Sequence, residues 1–423
     1  MTVSTLIRLI GAGLSPNFWR LWASSAAANL ADGITLVAIP LIALTLTRSP
    51  AEIAGVAVAG QIPILLFGLV AGGLADRLDR RWTMFIVQLL RVVVIGTLTG
   101  LAVAGALSMP IIYAAAFIIG GGEAFFDTNA QSILPSLVGK DRLVTANGRL
   151  FAAETVMNAF VGPPLGGLLV ALSIPLALAT GTIGYALAAV GLLVIVGSFR
   201  AEREGPSRGL HLEIGEGIGY LARHPLLLTL SSMVALGRLG SAGFIALLAL
   251  YAVAPGPMGL SELGYGLLLV TMGVGSLVGS VITGQAVKSF GRPGVLMLST
   301  LVFSASIFVP ALTPDRILVG LAFFIGGIAI MAWNVTNVSL RQSLLPSHLM
   351  GRVHATHRFM AHSAGLLGAI LAGQLGEALG VQAVFAIGAG IVLLGLFGRF
   401  VVTEERIRGA EEAATGSSLA PRG

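Results

Sequence analysis

Five ionisable residues lie inside long apolar runs, where a charged group has few polar neighbours: Asp32, Glu123, Asp127, Glu154 and Arg238. Away from water a carboxyl group holds its proton more tightly and can exchange it near neutral pH. An acid beside an arginine instead forms a static ion pair. These residue types therefore predict proton exchange, recognition of a cationic group, or a pair of Arg238 with Asp32 or Glu123.

Amide and aromatic side chains occur in the same apolar runs. Amides can hydrogen-bond a bound molecule, and aromatic rings either pack in the interior or cover the apolar part of a ligand. The residues predicted to line a cavity are Asn29, Phe125, Asn158, Trp333, Asn334 and Asn337. His354, His357 and His362 also cluster, but no carboxylate accompanies them, and no phosphate-binding loop is present. We predict neither a metal site nor a cofactor.

A cluster of charge separates two of the apolar runs, in the stretch "GGLADRLDRR" at residues 72–81. Basic residues beside an apolar run fix its orientation in a membrane, whereas acidic residues add little to that effect. Orientation accounts for the arginines of this stretch but leaves Asp76 and Asp79 unexplained.

The composition is that of a membrane protein, with 56% hydrophobic residues, 10% charged residues and a mean hydropathy of +0.93. Soluble domains carry about 25% charged residues, and about 20 apolar residues cross a bilayer as a helix. We predict an all-α polytopic protein. Its twelve spans are placed at 19–46, 53–75, 82–106, 110–134, 145–171, 175–199, 225–253, 263–287, 294–313, 317–340, 353–378 and 382–402.

The positive charges indicate the orientation of these spans. With a cytoplasmic N-terminus, all but three of the 25 Lys and Arg residues are assigned to cytoplasmic segments or span ends beside them. Arg48 and Arg316 fall on the outer side, and Arg238 lies within span seven. Both termini are therefore predicted to be cytoplasmic. The net charge of +6 is attributed to topology and not to nucleic-acid binding, and the absence of cysteine excludes disulfides.

The chain repeats itself at an offset of 211 residues, from Gln131 to Gln342: "AQSILPSLV" at 130–138 returns as "RQSLLPSHL" at 341–349. The repeat predicts a six-span half at 1–199, a cytoplasmic linker at 200–224, a second half at 225–402 and a cytoplasmic tail at 403–423. Two repeated halves are typical of transporters, with the binding site near the membrane midplane.

Two motifs resemble those of the major facilitator superfamily. The stretch at 72–81 resembles its signature loop between helices two and three, and "GPPLGG" resembles a motif of proton-coupled drug exporters through Gly162, Pro163, Gly166 and Gly167. Nearly the whole chain resembles the branch of bacterial multidrug, macrolide and siderophore exporters. It departs from that branch at Ala130, where an arginine is usual, and at Asp127, where a small residue is usual.

The resemblance implies that the loop is an inner gate. Asp76 would dock on the N-terminal end of span eleven, a contact worth about 0.3–1 kcal/mol at an exposed helix terminus. Gly73 would allow spans two and eleven to approach closely. Arg77, Arg80 and Arg81 complete the loop, and Asp127 is expected to pair with Arg77 or Arg81.

The resemblance also implies a secondary-active exporter of amphipathic small molecules, driven by protons and working by alternating access. We expect a monomer in the bacterial inner membrane, with a small molecule, protons and lipid as its partners. A lysolipid or lipid flippase and a polar-solute facilitator are the alternatives of the same fold. An intramembrane enzyme lacks a loop-borne catalytic constellation here, and a non-transporting sensor lacks an appended domain.

Overall fold

The computed structural model describes residues 14–75, 79–139, 142–197, 199, 218–345 and 350–419. Within these residues, every regular element is a helix, and the one β-bridge joins Val253 to Leu260. The helices up to residue 193 are α1 (Pro16–Leu46), α2 (Pro50–Ala75), α3 (Arg80–Val103), α4 (Met109–Leu137), α5 and α6 (Ile174–Leu193). Helix α5 has three parts: Leu143–Glu154, a π-helical segment Thr155–Val161, and Gly162–Leu172.

The helices after residue 224 repeat this pattern of long apolar elements. A helical stretch at Glu262–Leu312 is divided into α8 (262–290) and α9 (292–312) by Gly291, whose φ is 69°. The others are α7 (Pro225–Ala252), α10 (Arg316–Leu344), α11 (Met350–Leu379), α12 (Val381–Leu393, continued as a 3₁₀ helix at Leu394–Phe400) and α13 (Glu404–Leu419).

The twelve-span fold is confirmed. Among the described residues, eleven helices are long and apolar enough to cross a membrane, and one of these is the 51-residue stretch Glu262–Leu312. At 1.5 Å per residue that stretch is about 76 Å long, more than twice the roughly 30 Å of a bilayer core. Because it breaks at Gly291, it supplies two spans, as the sequence predicted.

The helices form two compact units, one of residues 1–42 and 66–204 and the other of residues 43–65 and 205–423. In the second unit the beginning of α2 packs against the end of α11. A Cβ atom on Gly373 would lie 3.1 Å from the Ala51 Cα, and the Ser49 hydroxyl donates to the Glu377 carboxylate at 3.1 Å. This close approach lies at the opposite end of α2 from Gly73.

The two arginines predicted on the outer side bind backbone carbonyls of the loop between α7 and α8. Arg48 donates to the Ala254 oxygen at 3.2 Å. Arg316 donates to the oxygens of Met258 at 3.0 Å and Gly259 at 2.9 Å. Their positions are therefore explained by loop packing in the second unit.

Candidate functional site

A partly buried ion pair lies in the first unit, with the Asp32 side chain 24% exposed. The Asp32 carboxylate of α1 is 3.3 Å from the Arg91 guanidinium of α3 and accepts a hydrogen bond from the Tyr185 hydroxyl of α6 at 2.7 Å. The Arg91 side chain is 1% exposed and lies over the rings of Tyr185 and Phe126. The charge of Asp32 is thus neutralised and its orientation fixed from two helices.

Helix α4 makes room for this pair. A Cβ atom on Gly122 would lie 3.2 Å from Arg91 Nε and from Val87 Cγ1, so a glycine at this position lets α4 approach the guanidinium. The Tyr185 side chain is fully buried. Arg91 and Tyr185 are therefore enclosed by close helix packing, while the Asp32 side chain keeps 24% of its surface exposed.

The interpretation of Arg238 as the partner of Asp32 is wrong, because Arg91 occupies that role. Sequence reasoning counted Arg91 among the arginines beside the cytoplasm, yet it lies midway along α3. It follows Arg81 by ten residues, which is about 15 Å along a helix. That depth was the signal that Arg91 is a second arginine within a span.

The span-five motif holds the backbone of α5 against α1 beside Asp32. A Cβ atom on Gly162 would lie 2.5 Å from the Gly33 Cα, and one on Gly166 would lie 2.7 Å from the Ile34 carbonyl oxygen. Gly162, Pro163, Gly166 and Gly167 are all buried. The motif therefore brings α5 to the level of the ion pair.

A π-helical segment follows Glu154 in α5. Pro163 and Pro164 have no N–H groups to donate to the carbonyls four residues earlier, and the preceding segment adopts the wider π-helical hydrogen bonding, which is frequent at functional sites. Glu154 is exposed and lies within electrostatic range of Asp32. It has no hydrogen bond or ion pair with another described residue. Asn158, which was predicted to line a cavity, belongs to the π-helical segment. Its carbonyl oxygen would lie 2.8 Å from a Cβ atom on Gly33, so the backbone of this segment packs closely on α1.

The other predicted residues of the first unit lie in different surroundings. Glu123 is exposed and follows Gly122, while Phe125 packs against Phe67 at a centroid distance of 6.2 Å. Asn29 donates to the Ser25 carbonyl oxygen of its own helix at 2.8 Å. Asp127 is part of α4, but its side chain lies outside the described residues, so its predicted pairing with Arg77 or Arg81 stays a prediction.

A cavity of about 330 Å³ lies within the second unit. Trp333 and Asn334 of α10, both predicted to line a cavity, share its wall with Arg238 of α7, which was predicted as an ionisable residue within a span. Asn337, also predicted there, is 2% exposed and is not among the lining residues. Further lining residues include Ser241, Phe244, Met272, Ser299, Thr300 and Phe303.

Three charged residues of the loop at 72–81 form hydrogen bonds that hold the start of α3 in place. The Asp79 carboxylate accepts from the backbone N–H groups of Arg81 at 3.0 Å and Phe199 at 3.0 Å. Arg80 donates to the Ser132 carbonyl oxygen at 2.9 Å, and Arg81 donates to that of Leu193 at 3.0 Å. Asp79 is thus a helix cap with an added tertiary contact. Asp76 and Arg77 lie outside the described residues, so the gate stays a prediction.

We expect Asp79→Ala to lower the free energy of unfolding by about 1–2 kcal/mol, because it removes a helix cap and the contact with Phe199. Asp79→Asn keeps the capping acceptor and should lose less. Thermal melting of the purified protein measures both effects. Asp315→Ala is the matched control, since Asp315 caps α10 through Ile317 and Leu318. Equal losses at the two positions would show that the Phe199 contact adds nothing.

Histidines of α11 have partners within the second unit. His357 Nδ1 lies 3.0 Å from the Ser231 hydroxyl oxygen, and His354 Nδ1 lies 3.4 Å from an Arg341 nitrogen. In the part of the chain that the structure describes, no three His, Asp or Glu side chains are grouped to hold a metal ion.

Sequence comparison identifies one matching family and individual relatives that are named as transporters or efflux pumps. A sequence profile for transmembrane secretion effectors matches residues 13–421. The multidrug efflux pump Tap of Mycolicibacterium fortuitum is 28% identical, over 88% of this chain and 93% of its own. The uncharacterized MFS-type transporter YfiS of Bacillus subtilis is 26% identical, over 89% of this chain and 91% of its own.

Solved structures share the fold. The nucleoside transporter NupG superimposes with a TM-score of 0.73 at 16% identity, covering 92% of this chain and 99% of NupG. A bacterial homologue of the iron transporter ferroportin, in an inward-facing state, gives a TM-score of 0.71 at 17% identity, with 91% and 98% covered. At these identities the likeness concerns the fold alone.

Proposed function

The chain belongs to the transmembrane secretion effector family of the major facilitator superfamily, and on that premise we propose that it exports amphipathic small molecules in exchange for protons. The protein would lie in the bacterial inner membrane, with both termini in the cytoplasm. The observation that carries the proposal is the cavity of the second unit, which combines aromatic rings with a few polar groups. Such a lining suits a molecule with an apolar body and a polar group.

The relatives support the direction of transport. The Tap protein of Mycolicibacterium fortuitum is named a multidrug efflux pump, and the similarity covers most of both chains. Transport out of the cell against a gradient needs an energy source, and the chain has no nucleotide-binding loop. An inward proton gradient can supply that energy if a carboxyl group within the membrane exchanges protons with both sides.

Glu154 is the residue that we assign to proton exchange, with Glu123 as a second exposed acid at mid-span. The Asp32 carboxylate is already engaged by the Arg91 guanidinium and the Tyr185 hydroxyl. Glu154 is exposed and lies within electrostatic range of Asp32. Protonation of Glu154 removes a repulsion beside the π-helical segment, and that change in charge would bias α5 between two conformations.

We expect Glu154→Gln to reduce transport driven by a pH gradient at least tenfold while sparing exchange without a gradient, because the amide cannot carry a proton. Uptake of a fluorescent amphiphile into everted membrane vesicles with an imposed pH gradient measures this. Glu262→Gln, an acid in the first turn of α8, is the matched control and should transport normally. If the Glu154→Gln and Glu123→Gln variants both keep full gradient-driven transport, proton coupling through these acids is wrong.

A further inference from the structure

We infer that the cavity of the second unit binds the anionic group of its substrate through Arg238, so that the transported molecules are amphipathic anions with a carboxylate, sulfonate or phosphate. This inference rests on the proposed function and gives its substrate a chemical class. It contrasts with the expectation of cation recognition that the acids of the first unit suggest.

Arg238 has no counter-ion among the described residues. It lies midway along α7 and faces the cavity with an exposed side chain, and it makes no hydrogen bond or ion pair with any residue that the structure describes. His362, a titratable side chain close enough to interact with it, adds no negative charge. Arg91, the arginine within a span of the first unit, is buried against Asp32. A charged residue within a membrane span is energetically costly, and such residues either pair with another group or take part in function.

The acids in the described spans of the second unit lie at helix ends, whereas Arg238 lies midway along α7. In its described spans they are Glu52 in the first turn of α2, Glu262 in the first turn of α8 and Glu377 in the last turn of α11. None of them lines the cavity. The negative charge that Arg238 can bind there would therefore be supplied by the substrate.

The remaining wall suits the apolar part of such an anion. Phe244, Phe303 and Trp333 supply aromatic surface, and Asn334 supplies an amide. A guanidinium group presents paired N–H donors that match the oxygens of carboxylate and phosphate groups. The volume of about 330 Å³ is at the lower end of the range for small-molecule sites. A compact aromatic anion fits this combination of volume, rings and charge.

The test uses two probes that differ only in the anionic group, 1-anilinonaphthalene-8-sulfonate and N-phenyl-1-naphthylamine. Binding to the full-length protein in lipid nanodiscs is followed by energy transfer from tryptophan, with empty nanodiscs as the blank. Trp333→Phe removes the tryptophan donor in the cavity wall, so the energy transfer that this variant loses is the signal of probe bound in the cavity. We expect Arg238→Gln to weaken binding of the sulfonate probe by roughly tenfold to a hundredfold, the range for a lost charge-assisted hydrogen bond, and to leave the neutral probe unchanged.

Two variants make the result specific to Arg238. Arg238→Lys keeps the charge but loses the paired donors, so its affinity for the sulfonate should lie between those of the wild type and Arg238→Gln. Arg399→Gln removes an exposed arginine of the same unit that does not line the cavity, and it should bind both probes normally. Unchanged binding of the neutral probe by Arg238→Gln also shows that the variant is folded.

Sulfonate binding that is independent of Arg238, or equal weakening of both probes, would overturn the inference. Displacement of the sulfonate probe by lysophosphatidylglycerol, lost in Arg238→Gln, would identify a lipid phosphate as the anion. Displacement by an aryl carboxylate alone would identify a drug-like anion. Probe binding and transport are measured separately. If binding of the sulfonate probe does not depend on Arg238 while export in vesicles is intact, only the assignment of anionic substrates is rejected. Selective binding without export rejects the proposed function.

Discussion

Replacing Arg91 with methionine is expected to destabilise the protein more than the loss of any other single charge in the first unit. Methionine replaces the aliphatic stem of arginine but has no guanidinium group, and it leaves the Asp32 carboxylate without its counter-ion. Removal of one partner from a fully buried ion pair costs about 3–5 kcal/mol, and the 24% exposure of the Asp32 side chain lowers that cost here. We expect a lower yield of folded protein and a lower melting temperature, measured by size-exclusion chromatography of heated, fluorescently tagged protein.

The double variant Arg91→Met with Asp32→Asn separates the ion pair from the packing of the arginine. It removes both charges, so it should be more stable than Arg91→Met alone, with a coupling energy of about 1–3 kcal/mol. Tyr185→Phe removes only the hydrogen bond to Asp32 and should cost about 1 kcal/mol. Additive losses in the double variant would mean that the pair contributes no coupling, and that Arg91 stabilises the unit through its contacts with Phe126 and Tyr185.

The spans could be predicted from the sequence because crossing a membrane requires a minimum length of continuous apolar sequence. A helix must keep about 20 apolar residues between polar ends, and charges, prolines and glycines mark those ends. The boundary between α8 and α9 illustrates this, since "SFGRPG" at 289–294 breaks two apolar runs and Gly291 adopts a positive φ there. The positive φ of Gly291 turns the chain out of the helical conformation, so the break that the sequence predicts is present.

Partners across helices could not be predicted in the same way. Arg91 and Asp32 are 59 residues apart, and their contact depends on the rotation and depth of α1, α3 and α6. Hydropathy gives neither quantity. Asn29 shows the same limit, because an amide within a span can bond to its own helix as well as to a ligand.

Some of the missed features had local signals. Asp79 directly precedes the first residue of α3, which is the position that favours an acidic cap. The consecutive prolines at 163 and 164 were a local signal for an irregularity in α5 that the sequence analysis did not use, although the π-helical form depends on how α5 packs against α1. Trp333 and Asn334, by contrast, were predicted from their residue types, and the offset that relates Gln131 to Gln342 also relates Glu123 to Asn334 at mid-span.

Gly162→Leu is expected to prevent the packing of α5 on α1 and to abolish transport. At this position even a Cβ atom would lie 2.5 Å from the Gly33 Cα, where backbone and not a flexible side chain must move. Overpacking of a well-packed interior typically costs 1–3 kcal/mol, and a backbone clash of this size should cost about 3 kcal/mol or more. Gly148→Ala is the matched control on the same helix, because no atom lies within 4 Å of its added Cβ and alanine favours helix by about 1 kcal/mol. Melting of the two purified variants, with vesicle transport measured in parallel, checks the expectation. If Gly162→Leu melts and transports like Gly148→Ala, the close contact between α1 and α5 does not hold Glu154 and Asp32 together, and the assignment of proton exchange to that region loses its structural basis.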